Sequence, residues 1–292
     1  MSSAPRARSS EVVLVALAAC SFSTASPIAK SIGGLSFAGI GAGRCAVAAV
    51  ALFVLAPVAT WRAVRALDGR HRIAVVGAGL LLGAHFGLFL AGLLSTSLPA
   101  ASALVALEPI AVVVAAWVAF GVRPSRREWL GIAVASLGAA VVARGAGQGE
   151  HRLAGDALVL AAVVLFGVYV AFARGLRDAL PTTPYAACVY AVATVALAPL
   201  AFVLDAGASA LPASTWVGVA ALGLVPTLVG HTLVQRAARH VSPSLVALAS
   251  PGETVGAILI GAATSHMPTP IEWTGAAIVV AGAVVTVTGA RR

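Results

Sequence analysis

The chain has 292 residues, of which 60% are hydrophobic and only 10% are charged. Soluble domains carry roughly 25% charged residues, so a water-soluble globule of this size would lack the polar side chains needed to cover its surface. The net charge of +9 does not indicate nucleic-acid binding, because the basic residues lie at the ends of apolar runs, and we predict an integral membrane protein surrounded by lipid.

The apolar runs predict an all-α membrane protein with ten transmembrane helices, since a membrane-spanning helix needs about 20 apolar residues. A short N-terminal arm, 1–11, precedes the first run. No small-residue cleavage site follows it, so we expect an uncleaved arm rather than a signal peptide. The predicted spans are 12–29, 36–57, 73–94, 99–120, 128–143, 155–174, 185–204, 216–236, 243–262 and 273–289.

Basic residues are distributed unevenly among the segments that join these spans. If the N-terminal arm lies inside, the inner segments hold fifteen Lys or Arg residues and the outer segments hold three. Cytoplasmic loops of membrane proteins are enriched in basic residues. The pattern therefore predicts that the arm and the C-terminus, 290–292, are both cytoplasmic.

The fourth and fifth predicted spans resemble the ninth and tenth. Leu104–Leu107 has a counterpart in Leu245–Leu248, and Glu128-Trp129 has one in Glu272-Trp273, 144 positions later. Self-similarity at a fixed period indicates a duplicated architecture. We predict a first repeat over 12–143, a linker over 144–154 and a second repeat over 155–289.

Five spans in each repeat have a consequence for topology. Because five is an odd number, the second repeat must enter the membrane from the side opposite to the first. Inverted repeats of this kind usually place the substrate path between the two halves, near the midplane of the bilayer. The duplication therefore predicts a transporter.

Two carboxylates fall near the midpoints of predicted spans, Glu108 in the fourth and Glu253 in the ninth. A charge at the bilayer centre costs roughly 2.5–3.5 kcal/mol on insertion scales, which suggests a function. Each lies beside a helix-breaking residue, Pro109 or the pair Pro251-Gly252. A carboxylate beside a loosened helical turn could bind the amine of a substrate, or take up and release a proton. Arg44, in the second span, is the expected counter-charge, and simple pairing of Glu108 with Arg44 is the alternative.

Two histidines and two tyrosines complete the set of candidate substrate-binding or coupling residues. His85 and His231 lie in the third and eighth spans, which are repeat partners. Histidine titrates near neutral pH, so a proton relay is one interpretation, and a hydrogen bond to a neighbour is the other. Tyr169 and Tyr190 are expected to line a cavity from the sixth and seventh spans.

Motifs for enzymes, metals and nucleotides are absent from the sequence. Cys20, Cys45 and Cys188 lie within apolar runs and lack the spacing of metal ligands or of a disulfide framework. No Ser-His-Asp order, Gly-rich phosphate loop or CxxC pair occurs. We therefore expect no catalytic residue, no metal and no cofactor, and no span has the continuous polar stripe of a channel.

Several short motifs recur in an order and spacing that resemble the drug/metabolite transporter superfamily, EamA type. The similarity extends over nearly the whole chain. The residues that carry it are His85-Phe86-Gly87-Leu88-Phe89, Ser95-Thr96, Pro109, Arg123-Pro124-Ser125-Arg126-Arg127, Gly131, Gly138, Pro226, Gly230-His231-Thr232, Pro251, Pro268-Thr269-Pro270 and Gly275.

This resemblance implies a permease of the bacterial inner membrane that exports amino acids, other small metabolites or drugs by alternating access. Proton coupling and exchange are both open, and a monomer is expected, with a dimer as the alternative. The family often has Gly-Glu where this chain has Gly121-Val122 and Ser265-His266, so the roles of those glutamates do not transfer. A lipid or lipid-precursor flippase or scramblase of the same architecture is the alternative function.

Overall fold

The computed structural model of the protein describes residues 9–145, 152–207, 211–263 and 268–290. Parts of the predicted arm, linker and C-terminus, and the Ser265-His266 pair, lie outside these ranges. Within the described ranges every regular element is helical, which confirms the predicted all-α class. Nine helical segments in these ranges are long and apolar enough to cross a membrane, one fewer than the ten that the sequence predicts.

The difference lies in the fifth predicted span, 128–143. The structure places it in a helix of 20 residues, Arg126–Gly145, which is not among the nine segments. Arg126, Arg127, Glu128 and Arg144 are the charged residues of this helix, and they occupy its two ends. The helix is therefore long enough to cross a membrane, but its uncharged stretch is short.

The first half of the chain forms α1 to α8, and the second half forms α9 to α15 with one π-helical segment between α11 and α12. The bounds are α1 Ser9–Phe22, α2 Ala25–Ser31, α3 Phe37–Leu55, α4 Pro57–Ala66, α5 Gly69–Ser95, α6 Leu98–Val105, α7 Glu108–Phe120, α8 Arg126–Gly145, α9 Leu153–Gly175, α10 Thr182–Leu204, α11 Ala213–Leu222, the π-helix Gly223–His231, α12 Thr232–His240, α13 Pro243–Val246, α14 Ala249–Ala263 and α15 Pro270–Ala290.

Several predicted spans are not single helices. The fourth is divided between α6 and α7, and the ninth between α13 and α14. Both breaks occur in the repeated Leu-Val-Ala-Leu sequence, just before a proline that is the second residue of α7 or the third residue of α14. Proline lacks an N–H and its ring clashes with the preceding turn, so it is tolerated where a helix begins and disfavoured where one continues.

The repeated Glu-Trp motif marks the beginning of a helix in each half. Ser125 Oγ accepts a hydrogen bond from the backbone N–H of Glu128, and Glu128 accepts one from the N–H of Ser125. Thr269 and Glu272 make the same reciprocal pair at the start of α15. These are capping boxes, which satisfy backbone donors that the first turn of a helix leaves free.

The helices that follow the two capping boxes, α8 and α15, pack along each other through four glycines. A Cβ on Gly131 would lie 2.7 Å from the carbonyl oxygen of Gly282, and one on Gly138 would lie 2.8 Å from that of Gly275. The earlier glycine of α8 meets the later glycine of α15, so the two helices run in opposite directions. Small residues allow this contact, and close backbone packing is what associates helices in lipid.

Polar contacts between loops identify the two ends of the bundle. At the end that carries the linker, Thr96 Oγ1 donates to Asp156 and accepts from the backbone N–H of Arg152. At the opposite end, Arg174 donates to the carbonyl oxygen of Val241 at 2.8 Å, and Arg239 donates to that of Leu180. We call these the linker end and the far end.

Asp205 holds the N-terminus of α3 at the linker end. Its carboxylate accepts hydrogen bonds from the backbone N–H of Ser36 at 2.6 Å and from the Ser36 hydroxyl at 2.8 Å. We expect Asp205→Ala to lower the free energy of unfolding by about 1–2 kcal/mol, because hydrogen bonds to a charged acceptor are lost. Thermal unfolding followed by tryptophan fluorescence would measure this. Asp178→Ala, at a side chain that is 89% exposed, is the control, and equal losses for the two variants would contradict the prediction.

Candidate functional site

A small cavity of about 40 Å³ lies in the middle of the bundle, and ionisable side chains from five spans line it. We call it the central cavity. It has room for only a few water molecules. Five of the seven substrate-binding or coupling residues predicted from the sequence line it, namely Arg44, His85, Glu108, His231 and Glu253. Phe22, Phe86, Phe89 and Phe166 supply aromatic walls.

The two interrupted spans carry the two carboxylates into the central cavity. Glu108 is the first residue of α7, directly after the break, and its side chain is buried. Its carboxylate accepts a hydrogen bond from the hydroxyl of Ser250, the second residue of α14. Glu253 follows three residues later, and its backbone carbonyl oxygen accepts a hydrogen bond from Ser23 at 2.8 Å. The breaks before Pro109 and Pro251 therefore lie beside the cavity.

Arg44, on α3, is only 2% exposed. Its Nε donates to Thr227 Oγ1 at 2.7 Å, and the guanidinium carbon lies 4.0 Å from the centre of the Phe86 ring. Both contacts favour a charged guanidinium away from water. Among the described residues, no carboxylate lies within 4.0 Å of this group, so the suggested ion pair between Arg44 and Glu108 is not formed. Instead, Arg44 is hydrogen-bonded to the hydroxyl of Thr227, and Glu108 is hydrogen-bonded to the hydroxyl of Ser250.

Thr227 lies in the π-helical segment, where its hydroxyl donates to the carbonyl oxygen of Leu222, five residues earlier, at 2.8 Å. Its own carbonyl oxygen accepts a hydrogen bond from Tyr190 at 2.9 Å. Pro226 precedes it and has no N–H to donate. Short π-helical stretches are rare in proteins, and those that do occur are often located at functional sites. Here the wider helix brings one threonine into contact with both the arginine and the tyrosine.

The two histidines lie side by side, with their ring centres 6.2 Å apart. His85 Nδ1 is 2.9 Å from the carbonyl oxygen of Ala162, which assigns the proton to that nitrogen. His231 Nδ1 is buried and has no hydrogen-bond partner among the described residues. The His231 ring lies 4.8 Å from the Phe22 ring and 4.9 Å from the Phe86 ring. The histidines therefore differ, since one is fixed by the backbone and the other by aromatic rings.

Tyr169 and Tyr190 do not line the central cavity, in contrast to the prediction. Both are fully buried and belong to a hydrogen-bonded group between the cavity and the far end. Gln235 donates to the hydroxyl of Tyr169, and the hydroxyls of Tyr190 and Thr232 are 2.9 Å apart. The hydroxyl of Tyr190 also donates to the carbonyl oxygen of Thr227, so both phenol oxygens have hydrogen-bond partners within the bundle.

A second cavity of about 160 Å³ adjoins the central one towards the linker end. We call it the vestibule. Phe89, Val105 and Glu253 line both spaces. Ser23 and Ser26 of the first span also line the vestibule, as does Glu272 at the start of α15. Glu253 thus stands where the wider space narrows into the central cavity.

The side chains of this site are suited to binding a small charged solute. The site offers one guanidinium, two carboxylates, two imidazoles and several aromatic rings around one small cavity. No group of three or more His, Cys, Asp or Glu side chains in the described ranges is placed to hold a metal ion. A solute that carries both an anionic and a cationic group would find partners for each.

Comparison with known proteins identifies the family. Residues 9–144 and 153–288 each match the EamA-like transporter family. The chain belongs to the EamA-like transporter family. This confirms the resemblance inferred from the motifs, and a multi-pass membrane transporter follows from it.

Two individual proteins are similar to this EamA-like transporter over most of its length. A protein of Streptantibioticus cattleyicolor, described as a probable terminal-alkyne amino-acid exporter, is 29% identical over 260 residues, which are 87% of this chain and 85% of that one. A crystal structure of another protein superposes with a TM-score of 0.79 at 21% identity, covering 98% of this chain and 99% of its own. The second likeness concerns the fold alone.

Thr227 gives a test of how Arg44 is positioned in this EamA-like transporter. We expect Thr227→Val to reduce the transport rate roughly ten-fold, because a hydrogen bond to a charged group is worth about 1.5–3 kcal/mol and the guanidinium would lose its orientation. Thr227→Ser retains the hydroxyl and should transport nearly normally. Initial rates in proteoliposomes would measure both, and a valine variant as active as the serine variant would refute this role.

Proposed function

We propose that the protein is a secondary transporter of the bacterial inner membrane that exports a small zwitterionic metabolite, such as an amino acid, by alternating access. In this proposal ten spans form two inverted five-helix repeats, 12–143 and 155–289, and both termini are cytoplasmic. One observation carries it: a buried arginine, two carboxylates and two histidines from five spans converge on one cavity in the middle of the bundle.

The charges of that cavity suit the two ends of an amino acid. The guanidinium of Arg44 is the partner for a carboxylate, and Glu108 and Glu253 are the partners for an ammonium group. The aromatic rings beside the histidines would contact the side chain of the solute. The relative described as a probable amino-acid exporter supports the same class of substrate.

The vestibule and the hydrogen-bonded group of Tyr169, Tyr190 and Gln235 support alternating access. Solute would reach Glu253 through the vestibule at the linker end, while Tyr169, Tyr190 and Gln235 block the way to the far end. With the linker outside, as the basic residues predict, this is the outward-facing arrangement. The central cavity must widen to hold an amino acid, because its volume of about 40 Å³ is that of a few water molecules.

Counterflow in proteoliposomes tests the proposal. Liposomes containing the purified protein would be loaded with a mixture of unlabelled amino acids, and the entry of each labelled amino acid would be followed with and without an imposed pH gradient. We expect at least one to accumulate, and Glu108→Gln and Glu253→Gln to abolish that accumulation. Acceleration by the gradient would identify proton coupling, and indifference would identify exchange.

Matched controls make the outcome decisive. Asp178→Asn, at an exposed carboxylate outside the cavity, should leave accumulation unchanged. Wild-type rates in both glutamine variants would refute the assigned site. Failure of every amino acid, together with translocation of a fluorescent phospholipid across the same vesicles, would favour the flippase function instead.

A further inference from the structure

A larger cavity lies on the outside of the bundle, apart from the central cavity and the vestibule. It is a groove of about 490 Å³ between α5, α7 and α9, near the far end. It shares no lining residue with the central cavity or with the vestibule. Whatever binds here is therefore separate from the path proposed for the solute.

The walls of the groove are apolar and its floor is built from small residues. Ala74, Ala115, Ala119, Ala171 and Gly175 leave space between the three helices. The groove extends along α9 from Val168 to Gly175, which is about 10 Å at the rise of an α-helix. Its rim includes Val118, whose side chain is 82% exposed. In a membrane this long, narrow, open space would face acyl chains.

The mouth of the groove is polar and basic. Arg70 and His71, in the first turn of α5, are the polar lining residues. Asp68 accepts a hydrogen bond from the backbone N–H of His71 at 2.8 Å, and this bond holds the pKa of the Asp68 carboxyl below its usual range. The His71 ring contacts the same carboxylate at 2.9 Å. Asp68 and His71 therefore satisfy each other, and among the described residues Arg70 has no ion-pair partner.

We propose that this groove binds one anionic phospholipid, with an acyl chain between α5, α7 and α9 and the phosphate at Arg70. An apolar channel that ends in an arginine complements a molecule with one long hydrocarbon chain and one negative head. Arg70 lies in the first turn of the 27-residue helix α5, whose N-terminus is capped by Asp68. A free anion would make no use of the groove, and a neutral lipid would make no use of Arg70.

A lipid bound in the groove would also contact the helices that form the bundle. α5 and α7 each pack along α9, and the groove separates them at the far end. An acyl chain in this space would contact all three helices at once. α5 carries His85 and α7 carries Glu108, so the lipid would touch two helices that contribute to the central cavity without entering it.

Native mass spectrometry of the purified full chain tests this inference. The protein would be offered equal amounts of phosphatidylglycerol and phosphatidylcholine with identical acyl chains. We expect one retained phosphatidylglycerol and a clear preference over phosphatidylcholine. Arg70→Gln should reduce that preference about five-fold, since one basic residue near a membrane surface contributes about that factor. The double variant Ala115→Leu and Ala119→Leu should lose retention of both lipids, because leucine fills the groove.

Two controls match these variants in chemistry and differ in place. Arg72→Gln removes an exposed arginine of the same helical turn that does not line the groove, and Ala198→Leu adds the same bulk to an exposed position on α10. Both should retain phosphatidylglycerol as the wild type does. Equal retention of the two lipids by the wild type, or normal retention by the Arg70 and double-leucine variants, would overturn the proposal. None of these outcomes depends on amino-acid transport.

Discussion

Replacing Arg44 with glutamine is expected to reduce transport at least about 30-fold and to leave the protein folded. Losing one partner of a buried, hydrogen-bonded charge pair costs roughly 2–5 kcal/mol, and the pair here would be the guanidinium and the carboxylate of a bound solute. Without solute, Arg44 is held by Thr227 and by the Phe86 ring, and a glutamine amide can still donate to the threonine. The substitution is therefore expected to weaken solute binding more than it lowers the free energy of unfolding.

The measurement is the initial rate of counterflow, compared with the midpoint of thermal unfolding of the same preparation. Arg44→Lys should retain part of the activity, because an ammonium group keeps the charge and loses the planar donor geometry. Arg62→Gln, on the exposed face of α4, is the matched control and should transport normally. A glutamine variant that unfolds at the wild-type temperature and transports at the wild-type rate would remove Arg44 from the site.

Replacing Gly138 with leucine is expected to prevent most of the protein molecules from folding. A Cβ at this position would lie 2.6 Å from the backbone nitrogen of Val279 and 2.8 Å from the carbonyl oxygen of Gly275. These are main-chain atoms of α15, which cannot turn away as a side chain does. The two helices would have to separate, and overpacking of this kind costs roughly 1–3 kcal/mol or more.

The yield of monodisperse protein after detergent extraction would show the effect. Gly282→Leu, at the other contact of the same helix pair, should behave alike. Ala133→Leu, which adds the same side chain to an exposed position of α8, should give a normal yield. Normal yields for both glycine variants would mean that α8 and α15 are not held by this contact.

The charged part of the site can be recognised in the sequence because a charge within a span is rare and costly. Arg44, Glu108 and Glu253 stood out in apolar surroundings, and the structure places them around one cavity. The uncharged partners gave no such signal. Thr227 and Ser250 resemble any hydroxyl in a membrane helix, and Pro226 was recognised only as part of the family resemblance.

The elements that the sequence did not predict have related causes. The short helix α4 begins at Pro57 and carries Arg62 and Arg65, so its composition resembles that of a loop. The interruptions before α7 and α14 depend on two prolines whose exact effect on the helix cannot be read from hydropathy. Tyr169 and Tyr190 were expected at a cavity, and instead their hydroxyls are bonded to Gln235 and Thr232.

The pairing of α8 with α15 has a consequence for how the two halves depend on each other. Each half contributes one glycine-bearing helix, and the glycines of one are covered by the glycines of the other. A half expressed alone would present that narrow strip of bare main chain to lipid, with nothing of its own to cover it. The bundle therefore cannot be completed until α15 has been synthesised. A chain truncated before α15 would leave the glycine-bearing face of α8 uncovered along its whole length.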